Sequence, residues 1–86
     1  MQDPDHVRTR VYNLVGRLSP EGPKEILPTD RIIDDLGYHS VKVVELVIEI
    51  ELEFNLPPFS EADTAGVETV DDIVQLVEKR IATRAL

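Results

Sequence analysis

Apolar residues recur at helical spacing in three separated stretches of this chain, with proline and glycine between them. In the first stretch Val7, Val11, Leu14, Val15 and Leu18 share one helix face. Asp3 suits a capping position and Pro4 a first helical position, so a helix is predicted over about Pro4 to Leu18. Ser19-Pro20-Glu21-Gly22-Pro23 stops it. The second stretch predicts a helix over about Ser40 to Phe54, ended by Asn55-Leu56-Pro57-Pro58. The last helix starts at Thr69, a good N-cap, with Asp71 and Asp72 in the first turn, where the dipole favours acids. Val70, Ile73, Val74, Val77 and Ile81 form its apolar stripe, and Lys79, Arg80 and Arg84 lie near its C-terminal end. A short helical turn is expected near Ser60 to Ala65, with Gly66 ending it. The pattern predicts an all-α fold: a small four-helix bundle of three main helices plus a short third one.

A long loop, from about Ser19 to His39, separates helices I and II. So long a loop in so short a chain is usually functional or pinned by its own apolar residues. Ile26, Leu27, Ile32, Ile33 and Leu36 are read as those anchors.

The 86 residues suit one domain, 1–86, with a modest core. The chain has no cysteine, which excludes a disulfide framework and a thiolate zinc site. Thioester chemistry would need a sulfur brought in by a cofactor. The net charge of −8 argues against nucleic acid and anionic membrane surfaces and favours basic partner surfaces. From Asp34 to Glu78 there are twelve acids and one base, Lys42. No apolar run is long enough to span a membrane, and Met1-Gln2-Asp3-Pro4-Asp5 does not read as a signal peptide. The expected compartment is the cytoplasm.

Helix II carries two apolar stripes. Val43, Leu46, Val47, Ile50 and Phe54 cluster on one face and suffice for a core. Val41, Val44, Ile48 and Leu52 form a second stripe on roughly the opposite side, flanked by Glu45 and Glu51. Neighbours wrap helix II almost all round, or the second stripe docks partners with the glutamates meeting basic residues at its rim; the two coexist where part of the stripe lines a cleft between helices. Glu45 and Ile48 belong to that docking surface on the second reading.

Asp34-Asp35-Leu36-Gly37-Tyr38-His39-Ser40 places a serine hydroxyl at the first turn of helix II. A helix start offers unpaired N–H groups and the positive end of the dipole, which suit a phosphate. Other chemistries fit poorly. Asp34, Asp35 and Glu45 fail the EF-hand spacing, because Gly37 follows Asp34 by three residues and the alternating acids are missing. Gly37-Tyr38-His39-Ser40-Val41 lacks the G-x-S-x-G frame of a hydrolase nucleophile, so no catalytic residue and no metal site is assigned. A plain N-cap role for Ser40 stays open.

The run from Ile33 through Ser40 to Pro57 closely resembles the core of an acyl carrier protein, whose pattern is D-[DS]-L-G-x-D-S-[LM]-x-x-V-E-L followed by an acidic helix ending in E-x-x-F or E-E-F. The chain matches at Asp35, Leu36, Gly37, Ser40, Val44, Glu45, Leu46, Glu53 and Phe54. Thr69-Val70-Asp71-Asp72-Ile73-Val74 resembles the start of that family's last helix. The resemblance implies a four-helix carrier. A phosphopantetheinyl transferase would move 4′-phosphopantetheine from coenzyme A onto Ser40, flanked by Gly37, His39 and Val41. The arm's thiol would hold the cargo as a thioester, and the chain itself would catalyse nothing. Val41, Val44, Glu45, Ile48 and Glu49 would meet acyl-loading, synthase and modifying enzymes with basic docking surfaces. Helix II and the loop would shelter the acyl chain.

Three positions depart from the pattern. The family's usual aspartate before the serine, linked there to divalent-metal and transferase contacts, is His39; the following leucine is Val41; and Lys42 stands where fatty-acid carriers often have an acid. His39 resembles the G-G-H-S-[LI] of peptidyl carriers, although Tyr38 replaces the second glycine, and it also fits the G-[YF]-H-S form of polyketide carriers. The expectation is a free-standing, monomeric acyl carrier protein of polyketide or related biosynthesis. The alternatives are an aminoacyl or peptidyl carrier of a nonribosomal peptide pathway, and an acidic helical adaptor without a prosthetic group.

Overall fold

The computed structural model describes residues 4–22 and 25–84. Among them four helices follow in order: α1 (Pro4–Arg17), α2 (Ser40–Phe54), α3 (Glu61–Thr64) and α4 (Val70–Arg84). The helical bundle therefore forms as its apolar periodicity predicts. α1 ends one residue short of Leu18, whose N–H still bonds the Leu14 carbonyl at 3.0 Å. The expected Asp3 cap lies outside the described residues. No helix among the described residues is long and apolar enough to cross a membrane.

α1 packs against both α4 and α2. Val7, Val11, Leu14 and Val15 of α1 share one buried cluster with Leu46, Ile50 and Phe54 of α2 and Val70, Ile73, Val74 and Val77 of α4. Each such side chain removed from water contributes about 1.5–3 kcal/mol before chain entropy is counted. Val43 and Val47, expected in the α2 core stripe, are only half-buried, because a cleft opens along their side of the helix.

Local chemistry sets the helix ends. Asn55 stops α2 in the left-handed conformation at φ 53°, and the Leu56 N–H reaches back to the Glu51 carbonyl at 2.9 Å. Ser60 and Asp63 form a reciprocal capping box at α3, with bonds of 3.1 and 2.9 Å. At α4 the Thr69 hydroxyl accepts the Asp72 N–H at 3.2 Å, while the Asp72 carboxylate accepts the N–H groups of Thr69 and Glu68 at 3.0 and 2.9 Å.

The loop before α2 is tied to the start of α4. Arg31 and Thr69 form an antiparallel bridge. The Pro28 and Asp30 carbonyls accept the Asp71 and Val70 N–H groups, each at 3.0 Å, so the loop satisfies orphan donors of α4. Ile26, Ile32 and Leu36 anchor the loop in the core as expected, but Leu27 and Ile33 are 52% and 61% exposed. Leu27 sits at the corner of a turn closed by Asp30 N–H to Leu27 carbonyl at 3.1 Å. Ile33 directly follows the inward-facing Ile32, and neighbours in a turn diverge.

Candidate functional site

The stretch from Arg31 to Tyr38 winds into a tight turn that delivers the chain to α2. The Gly37 N–H donates to the Ile33 carbonyl at 3.2 Å, and the Tyr38 N–H to the Ile32 carbonyl at 3.1 Å. Gly37 adopts φ +76°, a conformation that L side chains rarely take. A Cβ there would also stand 2.8 Å from the Glu21 carboxylate. Tyr38 then fixes the turn. It is 1% exposed, and its hydroxyl donates to the Val15 carbonyl at 2.7 Å. Burial pushes its pKa up to about 12. The sequence marks Tyr38 as a departure from the G-G-H-S form and a match to G-[YF]-H-S, with no sign of its burial; a single buried aromatic in a loop carries no periodic signal.

His39 occupies the N-cap of α2, extended at φ −117° and ψ 174°, and makes no side-chain cap bond. Ser40 is the first helical residue, one position inside the cap. The plain N-cap role for Ser40 is thereby corrected: helical dihedrals begin at Ser40 itself. Ser40 is exposed, and no hydrogen bond engages its hydroxyl among the described residues. α2 has no acid in its first turn, whereas α4 has Asp71 and Asp72 there and α3 has Glu61 and Asp63. Of the starts of α2, α3 and α4, the one without an acid in its first turn is the one that presents Ser40. An accessible hydroxyl at a helix start whose first turn holds no acid fits a phosphodiester.

The second stripe of α2 faces outward. Val41, Val44, Ile48 and Leu52 are 66, 58, 48 and 71% exposed, which excludes the reading in which neighbours wrap the helix. Ile33, misjudged as an anchor, widens this apolar surface at the loop. Glu45 is exposed and paired with Lys42 at 2.9 Å. Glu49 is half-buried and makes no ion pair among the described residues. Glu51 is spent within the chain, its carboxylate accepting the Phe59 N–H at 2.8 Å.

A cleft of about 660 Å³ separates α2 from α3 and α4. Ile50, Val67, Ile73 and Val77 are among its apolar lining, Ile33, Val44 and Ile48 belong to the same lining, and Phe59 and Thr64 form part of the α3 side. The volume falls within the roughly 300–1,000 Å³ of small-molecule sites. It begins about one helical turn beyond Ser40, since Val43 and Val44 already line it. Sequence reading placed cargo shelter in helix II and the loop but missed the wall supplied by α3 and α4, which only the packing reveals.

A family model described as the phosphopantetheine attachment site matches residues 9–77. An acyl carrier protein from Thermotoga maritima is 28% identical over 81 residues, covering 94% of this chain and 99% of the relative. One from Chlorobium luteolum is 28% identical over 74 residues, covering 86% and 94%. The solved structure of a candidate acyl carrier protein from Mycobacterium tuberculosis superposes with a TM-score of 0.72 at 24% identity, covering 91% of this chain and 97% of that one.

Proposed function

The chain belongs to the acyl carrier protein family, and from that premise we propose that Ser40 carries its 4′-phosphopantetheine arm. Members of this family carry groups and do not catalyse, and the chain's family model is that of the phosphopantetheine attachment site. The observation that supports Ser40 is its place at the start of α2: exposed, not hydrogen-bonded among the described residues, and without an acid in that first turn. The bound arm supplies the terminal thiol on which cargo is held as a thioester. Gly37 and Tyr38 shape the approach, His39 occupies the N-cap position beside the serine, and Val41 flanks it. No carboxylate stands in the first turn of α2 to repel the phosphodiester.

In this reading residues 1–86 act as one monomeric carrier domain. A phosphopantetheinyl transferase and the enzymes that load and process the cargo meet Val41, Val44, Glu45, Ile48 and Glu49. Apolar partner surfaces fit the exposed stripe, and basic rims fit a chain of net charge −8. The cleft beside α2 shelters the acyl chain. Gly37-Tyr38-His39-Ser40 favours a polyketide-type carrier over a fatty-acid one, because its histidine fits that subtype's motif.

His39 also supports a second reading, an aminoacyl or peptidyl carrier. Loading assays separate the two. The arm-bearing protein is incubated with malonyl and acyl donors and their transferases, and separately with amino acids, ATP and adenylating enzymes. Thioester formed with the acyl donors alone supports the polyketide-type reading. Thioester formed with aminoacyl donors alone would replace it with the second.

A further inference from the structure

The short third helix is held in place by two residues from the helices on either side of it. Arg80 of α4 donates to the Asp63 carboxylate at 2.7 Å, and the same guanidinium lies 5.0 Å from the centre of the Phe59 ring. From α2, the Glu51 carboxylate accepts the Phe59 N–H at 2.8 Å. Glu51, Phe59 and Thr64 all line the cleft, so the segment they fix is one of its walls. α3 itself is four residues long and buries none of them. A helix of one turn does not persist alone in water. Its capping box, the Arg80 and Glu51 contacts and the packing of Phe59 and Val67 against the core therefore set its position.

We propose that Arg80 and Glu51 act as a clasp on the Phe59–Thr64 wall and thereby limit the length of apolar cargo that the cleft accepts. The inference rests on the reading that this cleft shelters the acyl chain. The interior of the cleft is apolar at Ile50, Val67, Ile73 and Val77, so a longer chain gains by entering further. Deeper entry brings the chain against the Phe59–Thr64 side of the cleft, and the two clasp contacts resist outward movement of that wall. Both Arg80 and Asp63 side chains are only about one-quarter to one-third exposed, so water competes partially for them. Arg80 is a positioning residue in this scheme: it acts through the wall.

Two measurements test the clasp. The first needs no cargo. Amide hydrogen exchange is compared in the full chain and in Arg80→Gln. Exchange at Thr64 and Val67 is expected to rise roughly five- to thirtyfold, from the loss of a partly shielded ion pair and a cation–π contact. Exchange at Val74 and Val77, in the α4 core, is expected to stay the same, which shows that the variant remains folded. Unchanged exchange at Thr64 and Val67 overturns the clasp. Phe59→Leu, which keeps the ion pair and removes the stacking, is expected to give a smaller rise of the same pattern.

The second measurement uses protein loaded with butyryl, octanoyl and dodecanoyl pantetheine and reads methyl chemical shifts of Val67, Ile73 and Val77. The perturbation is expected to stop growing at a shorter acyl chain in the unaltered protein than in Arg80→Gln or in Glu51→Met, which keeps the side-chain length but removes the acceptor. The same ceiling in all three overturns the proposal. An unaltered protein whose cleft methyls respond to no chain overturns the shelter reading, and the length limit with it, while the exchange result still reports on the clasp alone.

Discussion

Tyr38 shows how one residue joins core and site. Its hydroxyl takes up the Val15 carbonyl near the end of α1, where the Ser19 N–H turns instead to the Gly16 carbonyl. Tyr38→Phe leaves that buried carbonyl unpaired, and urea unfolding should show a loss of about 1–3 kcal/mol. The raised pKa gives a second signature. The folded state holds the proton to about pH 12, while the unfolded tyrosine releases it near the ordinary 10.0. Tyr38 therefore contributes stability that is fully present below pH 10 and disappears as pH rises towards 12, by up to about 2–3 kcal/mol. The difference in this slope between the unaltered chain and Tyr38→Phe isolates the residue; identical slopes would contradict its burial. At this scale the sequence set Gly37 in the turn and Ser40 at the helix start where they lie, and gave no sign that Tyr38 is buried. Leu27 and Ile33 misled because apolar identity in a loop does not reveal which side of a turn a residue takes.

The helices were legible from periodicity and end chemistry. Val41 to Phe54 carries both α2 stripes, and Thr69 with Asp72 marks the start of α4 at the residue where it occurs. The loop connections were not, because the Arg31–Thr69 bridge and the Pro28 and Asp30 bonds to α4 are backbone interactions with no side-chain signature. If the outer stripe docks partners as proposed, the two faces of α2 separate stability from recognition. Leu46→Ala empties a fully buried site and should cost about 2–5 kcal/mol. Ile48→Ala, on the outer face, should change the unfolding midpoint by no more than about 0.5 kcal/mol while slowing partner-catalysed loading. Parallel urea titrations and loading rates check the pair; a normal loading rate for Ile48→Ala would remove that residue from the docking surface. The α4 cap has its own pH signature. Backbone N–H groups of Thr69 and Glu68 hold the Asp72 carboxyl below its ordinary 3.8. Its contribution is present above that value and is lost as pH falls through the lower folded value. Asp72→Ala should be less stable at neutral pH, and the gap to the unaltered protein should close in strong acid. A gap that does not change with pH would contradict the cap.

Across the whole molecule, the acidic middle of the chain is less bare than its composition implies. Arg8, Arg10 and Arg80, from the flanking helices, pair with Asp71, Glu53 and Asp63 at 3.0, 2.7 and 2.7 Å. These contacts stitch α1 to α4, α1 to α2 and α4 to α3, although each exposed pair contributes little alone. Glu49 and Glu61 make no ion pair among the described residues and keep the outer surface acidic, which is the charge a basic partner would meet. Sequence order could count the acids but could not say which were neutralised, since the pairs join residues far apart in the chain. The cleft was hidden for the same reason, being built from α2, α3, α4 and the loop together. We propose that all these parts serve the attachment of one arm at one serine, Ser40. The direct measurement is intact mass after incubation with coenzyme A, magnesium and a broad-specificity phosphopantetheinyl transferase. The unaltered protein should gain one phosphopantetheinyl group and Ser40→Ala none; no gain in the former, or a gain that survives Ser40→Ala, would contradict attachment at Ser40.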